Sequence, residues 1–179
     1  MARIPNARRT PDNRLRCLAA EQVVRALDDG RIQAHPLPPS AETLALLDVI
    51  LRKLEMIDAR QGERTGRAPN PFRSAPKHTG EAHSIVSALR TLEHGKTAVL
   101  LTNDGGASLV AHNHGITSRH VGHLLAELAC PNQAIGADEL FAQFDTVTRN
   151  FATVPADARP SSSDFFKCSM LNGDCPQCT

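Results

Sequence analysis

Residues 80–117 constrain the fold more than any other stretch of this chain. Residues 98–101 are continuously apolar, which is typical of a strand in a parallel sheet covered on both faces. Ahead of this run, helical spacing predicts a helix that has one buried face and ends at Gly95. The apolar residues of that face are Ala82, Ile85, Val86 and Leu89. Residues 107–114 then predict a short helix, and this succession of helix, buried strand and helix indicates an α/β layered domain.

Capping residues and periodicity predict the remaining elements. Ser40 is a good helix N-cap, and apolar residues keep helical spacing from there to about Ala59. Further helices are predicted over residues 18–27, 121–128 and 137–151. Short strands are predicted over residues 32–37 and 116–121, and Pro36 places the first of them at a sheet edge.

The chain is expected to form one domain with two tails, because 179 residues suffice for a single full core. Residues 1–16 carry five arginines against one acid and predict a basic flexible arm. Residues 17–152 form the α/β domain, within which 60–79 predict a basic loop rich in proline. Residues 153–179 predict a polar tail that contains cysteines.

Composition narrows the classes of partner. A net charge of +1 gives no global field for nucleic acid, so any basic surface is local. Aromatic residues make up 3% of the chain, which argues against a base-stacking platform. No apolar run approaches the ~18 residues that span a bilayer, and the first nine residues lack the apolar segment of a secretory signal. We therefore expect a cytoplasmic protein without membrane contact.

Two acids flank the central strand. Glu81 lies at the entry of the preceding helix, and Asp104 follows the strand directly. Ligands of open α/β sheets gather beyond the carboxyl ends of the strands, so the two carboxylates could converge there on Mg²⁺ or Mn²⁺. The alternatives are a helix N-terminal acid for Glu81, favoured by the helix dipole, and a turn residue for Asp104.

The same stretch resembles the C-terminal half of a PIN domain. The resemblance is carried by Gly80-Glu81-Ala82-His83-Ser84-Ile85, by Val99-Leu100-Leu101-Thr102-Asn103-Asp104, by the Ala-rich helix and by Gly115-Ile116. Many members of that family are Mg²⁺- or Mn²⁺-dependent ribonucleases, often toxins of toxin–antitoxin pairs. The resemblance implies that Glu81 and Asp104 are catalytic, metal-binding acids and that Asn103 occupies a position that is acidic in some members.

One part of the family pattern is missing from this sequence. PIN domains begin with an apolar strand that ends in an Asp, whereas Asp12 follows Pro11 with no strand-like residues ahead of it. The expected fold is therefore a PIN-like α/β domain with a mostly parallel sheet flanked by helices, incomplete at its N-terminus. An acid from residues 1–40 within ~5 Å of Asp104 would favour an enzyme.

Two functions remain open on this resemblance. As a ribonuclease, the protein would cleave RNA phosphodiesters, with an antitoxin or a second copy as partner. Its loop arginines would then contact backbone phosphates without reading sequence; they are Arg60, Arg64, Arg67 and Arg73. The alternative is a catalytically inactive or truncated PIN-like module that binds RNA or a protein.

The C-terminal cysteines predict a second, separate metal site. Cys175 and Cys178 have the spacing of a zinc knuckle, and Cys168 supplies a third ligand. A closed zinc site needs a fourth, for which Cys130, His120 and His123 are the candidates. Free thiols are the alternative, and neither histidine is expected to be catalytic.

Overall fold

The computed structural model describes residues 21–66, 78–129, 135–150, 154–156 and 158–167. These residues fall into two units, one that ends at Pro36 and one that begins at Leu37. In the first unit, residues 21–28 are helical, and Gly30 follows with a left-handed φ of 70°. The strand predicted over residues 32–37 is wrong, because this segment has no regular structure. Pro36 has no N–H to donate, and the segment pairs with no described strand.

The second unit mixes helices with a short sheet. In chain order its elements are α1 (Ala41–Thr65), α2 (Thr79–Glu93), β1 (Val99–Leu101), α3 (Gly105–Asn113), β2 (Thr117–Arg119), α4 (Val121–Ala129), α5 (Ala137–Asn150) and a 3₁₀ helix (Ser163–Phe166). Strands β1 and β2 pair in parallel, with Leu100 opposite Ser118, and α3 connects them. The mixed α/β class and the parallel pairing are confirmed, in a sheet of two strands within the described residues.

Helix α1 begins where the sequence predicts and ends later. The Ser40 hydroxyl accepts a hydrogen bond from the Thr43 amide at 3.1 Å, as an N-cap should. The helix continues to Thr65, six residues past the predicted end at Ala59, so the first part of the predicted loop 60–79 is helical. Polar residues such as Arg60 and Arg64 have good helix propensity, and the helix ends at Gly66, whose φ is 65°.

Helices α1, α2 and α3 pack around β1 to form the first of two cores. Its largest members include Ile50, Leu54, Ile85 and Leu100. The predicted buried face of α2 is confirmed, since Ile85 and Val86 are fully buried there. The carboxyl end of β1 and the start of α2 therefore belong to the same core.

The prediction that β1 is covered on both faces is wrong. Leu100 is 6% exposed, but its neighbours Val99 and Leu101 are 55% and 58% exposed. Successive side chains of a strand point to opposite faces, and the described helices cover the face that carries Leu100. The apolar run therefore belongs to a half-covered strand.

The second core joins α4 and α5 to part of the predicted tail. Its buried members are Ala126, Ala129, Leu140, Phe144, Val154 and Phe166. Val154 and Phe166 lie beyond residue 152, so the described part of the predicted polar tail contributes to packing. Among the described helices, none has the length and apolar character needed to cross a bilayer.

Candidate metal site

Asp104 is fixed at the carboxyl end of β1 by two local hydrogen bonds. Its Oδ1 accepts from the Ala107 amide at 2.8 Å and so caps helix α3, while its own amide donates to the Thr102 hydroxyl at 3.0 Å. Asp104 therefore has a structural role as the N-cap of α3. Its second oxygen, Oδ2, accepts no hydrogen bond from the described residues and is available to a ligand.

Glu81 lies in the first turn of α2 and is half-buried. Its carboxylate forms no hydrogen bond or ion pair with any described residue. A negative charge is favourable at this end of a helix because the first-turn N–H groups carry partial positive charge. The acid is thus stabilised by the helix while its oxygens stay open.

His78 immediately precedes α2 and combines a left-handed backbone with a buried side chain. Its backbone is left-handed, with φ of 71°, and its carbonyl accepts from the Ala82 amide at 2.9 Å, which begins the helix. The residue is 8% exposed, yet neither ring nitrogen has a hydrogen-bond partner among the described residues. Its Nε2 lies 3.8 Å from Oδ2 of Asp58, which is too long for a hydrogen bond. Leaving a buried polar group unpaired costs about 1–3 kcal/mol.

These three side chains converge. One ligand atom from each of His78, Glu81 and Asp104 lies within 4.8 Å of the other two. The structure thus brings the two predicted acids together and adds an imidazole to them; we refer to these three residues as the HED cluster. Two carboxylates and one imidazole make a donor set that suits a divalent cation.

Asn103, the third predicted ligand, has a structural contact. Its side-chain oxygen accepts a hydrogen bond from the Val121 amide at 3.0 Å. This bond ties the end of β1 to the first residue of α4. The ligand role of Asn103 stays a prediction.

A cavity of about 1000 Å³ opens beside Asp104. It lies between the carboxyl ends of the two strands and the segment around Pro155. Its polar lining includes Thr102, Asn103, Asp104, Ser108, His112, Ser118, Arg119, His120 and His123. The cavity therefore gives a ligand access to one member of the HED cluster.

Two neutral imidazoles line this cavity. The ring centroids of His120 and His123 are 3.8 Å apart. The pKa of His120 is lowered to about 4, mainly because the ring is buried and secondly because His123 lies beside it. The Gly122 amide donates to Nδ1 of His120 at 3.0 Å, a bond that requires this nitrogen to be unprotonated. Burial and then Arg119 lower the pKa of His123 in the same way.

The other predicted site residues are only partly described. Arg60 and Arg64 are exposed on the last two turns of α1. Outside the described residues lie Asp12, Arg67, Arg73, Cys130, Cys168, Cys175 and Cys178. The phosphate-binding and zinc predictions that depend on them stay predictions.

His78 is the residue that sequence reasoning missed. His78 lies within the predicted basic loop 60–79, which has no periodicity that would place its side chain. The signal was its spacing: residues three apart at a helix start share one face, and His78 precedes Glu81 by three.

No family model, no characterised protein and no solved structure matches this chain in the comparisons. The HED cluster and the cavity beside it are therefore the features of this chain that indicate a function.

Proposed function

We propose that the protein is a divalent-metal-dependent nuclease that cleaves RNA phosphodiesters, as its resemblance to PIN domains implies. The observation that carries the proposal is the convergence of Glu81 and Asp104, which come from different elements and meet at the carboxyl end of β1. Ligands of open α/β sheets bind at this end of the strands.

The donor chemistry fits Mg²⁺ or Mn²⁺. The Glu81 carboxylate and Oδ2 of Asp104 are hard oxygen ligands with no competing hydrogen bond among the described residues. Such an ion, when bound, lowers the pKa of a water and polarises a phosphoryl oxygen. The cap from Ala107 holds the Asp104 carboxylate in one orientation, which keeps this ligand preorganised.

The cavity beside Asp104 supplies a place for the substrate. Arg119 lines it as a cation, although its Nε also lies 3.5 Å from the Glu127 carboxylate. The hydroxyls of Ser108 and Ser118 are 2.6 Å apart at the same wall and can donate to phosphate oxygens. The exposed side chains of Arg60 and Arg64 extend the basic surface along α1. The predicted protein partner stays an antitoxin or a second copy of the chain.

A second candidate function is a non-catalytic module that binds RNA or a protein. Asp104 caps α3, and Asn103 bonds to the first residue of α4. Both residues therefore have structural roles that need no metal. This reading predicts a fold that is indifferent to chelation and a protein without cleavage activity.

Cleavage of a labelled single-stranded RNA in Mn²⁺ or Mg²⁺ tests the proposal, with the wild type compared with Glu81→Gln and Asp104→Asn. Both substitutions remove a ligand charge, and Asn caps a helix about as well as Asp, so α3 should keep its start. We expect each variant to lose activity by roughly 100-fold or more, since even outer-shell partners of a metal are worth about 10–100-fold.

Glu93→Gln is the matched control, because Glu93 lies at the far end of α2 and pairs with Arg90 at 2.8 Å. It should cleave like the wild type, and all variants should melt alike. Equal cleavage by every variant, or cleavage that survives a chelator, would overturn the nuclease and favour a contaminating activity. A complete lack of cleavage by the wild type would favour the binding module.

A further inference from the structure

We infer that His78 is a direct metal ligand and that the HED cluster selects a first-row transition ion such as Mn²⁺ over Mg²⁺. This inference rests on the proposed function, because it concerns the same metal site. It adds a histidine ligand to the two acids that the PIN resemblance implies.

The His78 side chain is buried without a hydrogen-bond partner among the described residues. It is 6% exposed, and both ring nitrogens lack a hydrogen-bond partner in the described structure. Buried polar groups in native proteins nearly always have a partner, so each unpaired one calls for an explanation such as an ion. A metal–nitrogen bond would satisfy the ring where the protein does not.

The ligand atoms of the HED cluster also lie close to the spacing that one shared ion requires. The three ligand atoms of His78, Glu81 and Asp104 lie within 4.8 Å of one another. Two ligands that share one ion at ~2.1 Å each are at most ~4.2 Å apart. The separations of these atoms therefore need to shrink by no more than about 0.6 Å to reach the limit set by a single shared ion.

A carboxylate also lies near the imidazole ring. Histidine ligands usually have a carboxylate or carbonyl near the ring, which orients it and raises its basicity. Asp58 on α1 lies near this place, with Oδ2 at 3.8 Å from Nε2 of His78, which is beyond hydrogen-bond distance. The same Asp58 also offers the rival explanation, in which a protonated His78 simply pairs with it across this distance.

The ligand set decides which ion is preferred. Mg²⁺ favours oxygen ligands and keeps several waters, whereas imidazole suits the first-row transition ions. Replacing one oxygen donor of an acidic site by His78 therefore favours Mn²⁺ over Mg²⁺. Mn²⁺ is also the clean probe here, because the thiols of Cys168, Cys175 and Cys178 would compete for Zn²⁺.

The test is calorimetric titration of the full chain with Mn²⁺ and with Mg²⁺, together with electron spin echo spectroscopy of bound Mn²⁺ to detect imidazole nitrogen. His78→Asn is the main variant, because Asn tolerates the left-handed backbone at this position. We expect the wild type to bind Mn²⁺ about tenfold or more tightly than Mg²⁺ and to show the nitrogen signal. His78→Asn should lose most of that preference and the signal, while its affinity for Mg²⁺ changes by less than about threefold.

His83→Asn is the control, since His83 lies on the same helix but is exposed and bonds to the Thr79 carbonyl. It should keep both the preference and the signal. The inference is overturned if His78→Asn also keeps them, or if the wild type shows no preference for Mn²⁺ and no nitrogen signal.

RNA cleavage measured on the same samples separates this inference from the proposed function. Selective Mn²⁺ binding through His78 without cleavage would leave the inference standing and refute the nuclease. Cleavage that needs Glu81 and Asp104 but does not change in His78→Asn would support the nuclease and refute the role of His78.

Discussion

At the scale of single residues, His120 is the side chain whose chemistry is most clearly set by its surroundings. It is buried, its Nδ1 accepts from the Gly122 amide, and its ring lies against that of His123. A Cβ at position 122 would approach the imidazole to 2.7 Å, so this close contact depends on glycine. The ring is therefore kept neutral by packing as well as by hydrogen bonding.

The first prediction from this state concerns stability at acid pH. The pKa of His120 is about 4 in the folded protein against 6.5 in the unfolded chain, so between these values the unfolded chain binds more protons. Folding stability therefore falls as the pH drops from 6.5 towards 4. We expect His120 to account for about 1–2 kcal/mol of that loss, a figure kept below the full value of the pKa difference because its ring lines the cavity.

Urea unfolding at about pH 7 and about pH 4.5 measures this difference. In His120→Asn, which keeps an acceptor for the Gly122 amide, the loss between the two pH values should shrink by that amount. His83→Asn removes an exposed histidine and should leave the loss unchanged. An unaltered loss in His120→Asn would contradict the prediction.

At the scale of elements, helix α1 shows what local sequence controls. Ser40 accepts from the Thr43 amide, and its hydroxyl also donates to Oγ1 of Thr43 at 3.0 Å. Thr43 is 1% exposed, so a buried amide and a buried hydroxyl both depend on one capping side chain. The start of α1 is fixed by chemistry that a sequence displays directly.

We predict that Ser40→Ala lowers the free energy of unfolding by about 1–2 kcal/mol, because it removes the cap and leaves Thr43 unpaired. Ser40→Asp, which retains a capping oxygen, should recover most of this loss. Ser84→Ala is the matched control, since this exposed hydroxyl only bonds back to the Gly80 carbonyl within a helix, and it should change stability by less than about 0.5 kcal/mol. Chemical denaturation of the three variants measures the effect, and equal losses in Ser40→Ala and Ser84→Ala would contradict it.

The elements that the sequence predicted correctly are those governed by local rules. The cap at Ser40, the buried face of α2 and the parallel pairing of two strands around α3 follow from neighbours in sequence. The errors have two different sources. How many faces of β1 are covered depends on where distant helices lie. The end of α1 is instead a local feature, set by Gly66 rather than by the last apolar residue.

At the scale of the second unit, two cores share the chain between Leu37 and Lys167. The second core includes Phe166 of the 3₁₀ helix, which lies near the end of the described chain. The ring centroids of Phe166 and Phe144 are 5.9 Å apart, and both side chains are fully buried. The described residues of the predicted tail thus hold α4 and α5 together.

We predict that Phe166→Ala lowers the free energy of unfolding by about 3 kcal/mol or more, because it opens a cavity among buried aromatic rings. Phe165→Ala is the control within the same 3₁₀ helix, as Phe165 is 37% exposed, and it should lose about 1 kcal/mol. Thermal and chemical denaturation report both values. Similar losses for the two variants would show that Phe166 has no special place in the core.

Half of the candidate site was visible in the sequence. Glu81 and Asp104 converge because a helix start and a strand end meet at one edge of the sheet, which chain order alone suggests. His78 was not foreseen because its position depends on a left-handed residue that turns the chain into α2, and a histidine in a basic stretch gives no sign of such a turn. The lowered pKa of His120 likewise depends on burial against distant residues such as Phe144, which follows it by 24 residues in the chain.

The carboxyl group of Asp104 belongs both to the start of α3 and to the HED cluster. If a cation binds the HED cluster, its binding and the order of the first turn of α3 would be thermodynamically coupled. Reciprocity requires that a cation which binds more tightly to the ordered turn also stabilises that turn, by the same free energy. Because α3 connects β1 to β2, we expect a cation bound by Asp104 to stabilise the helix that links the two paired strands.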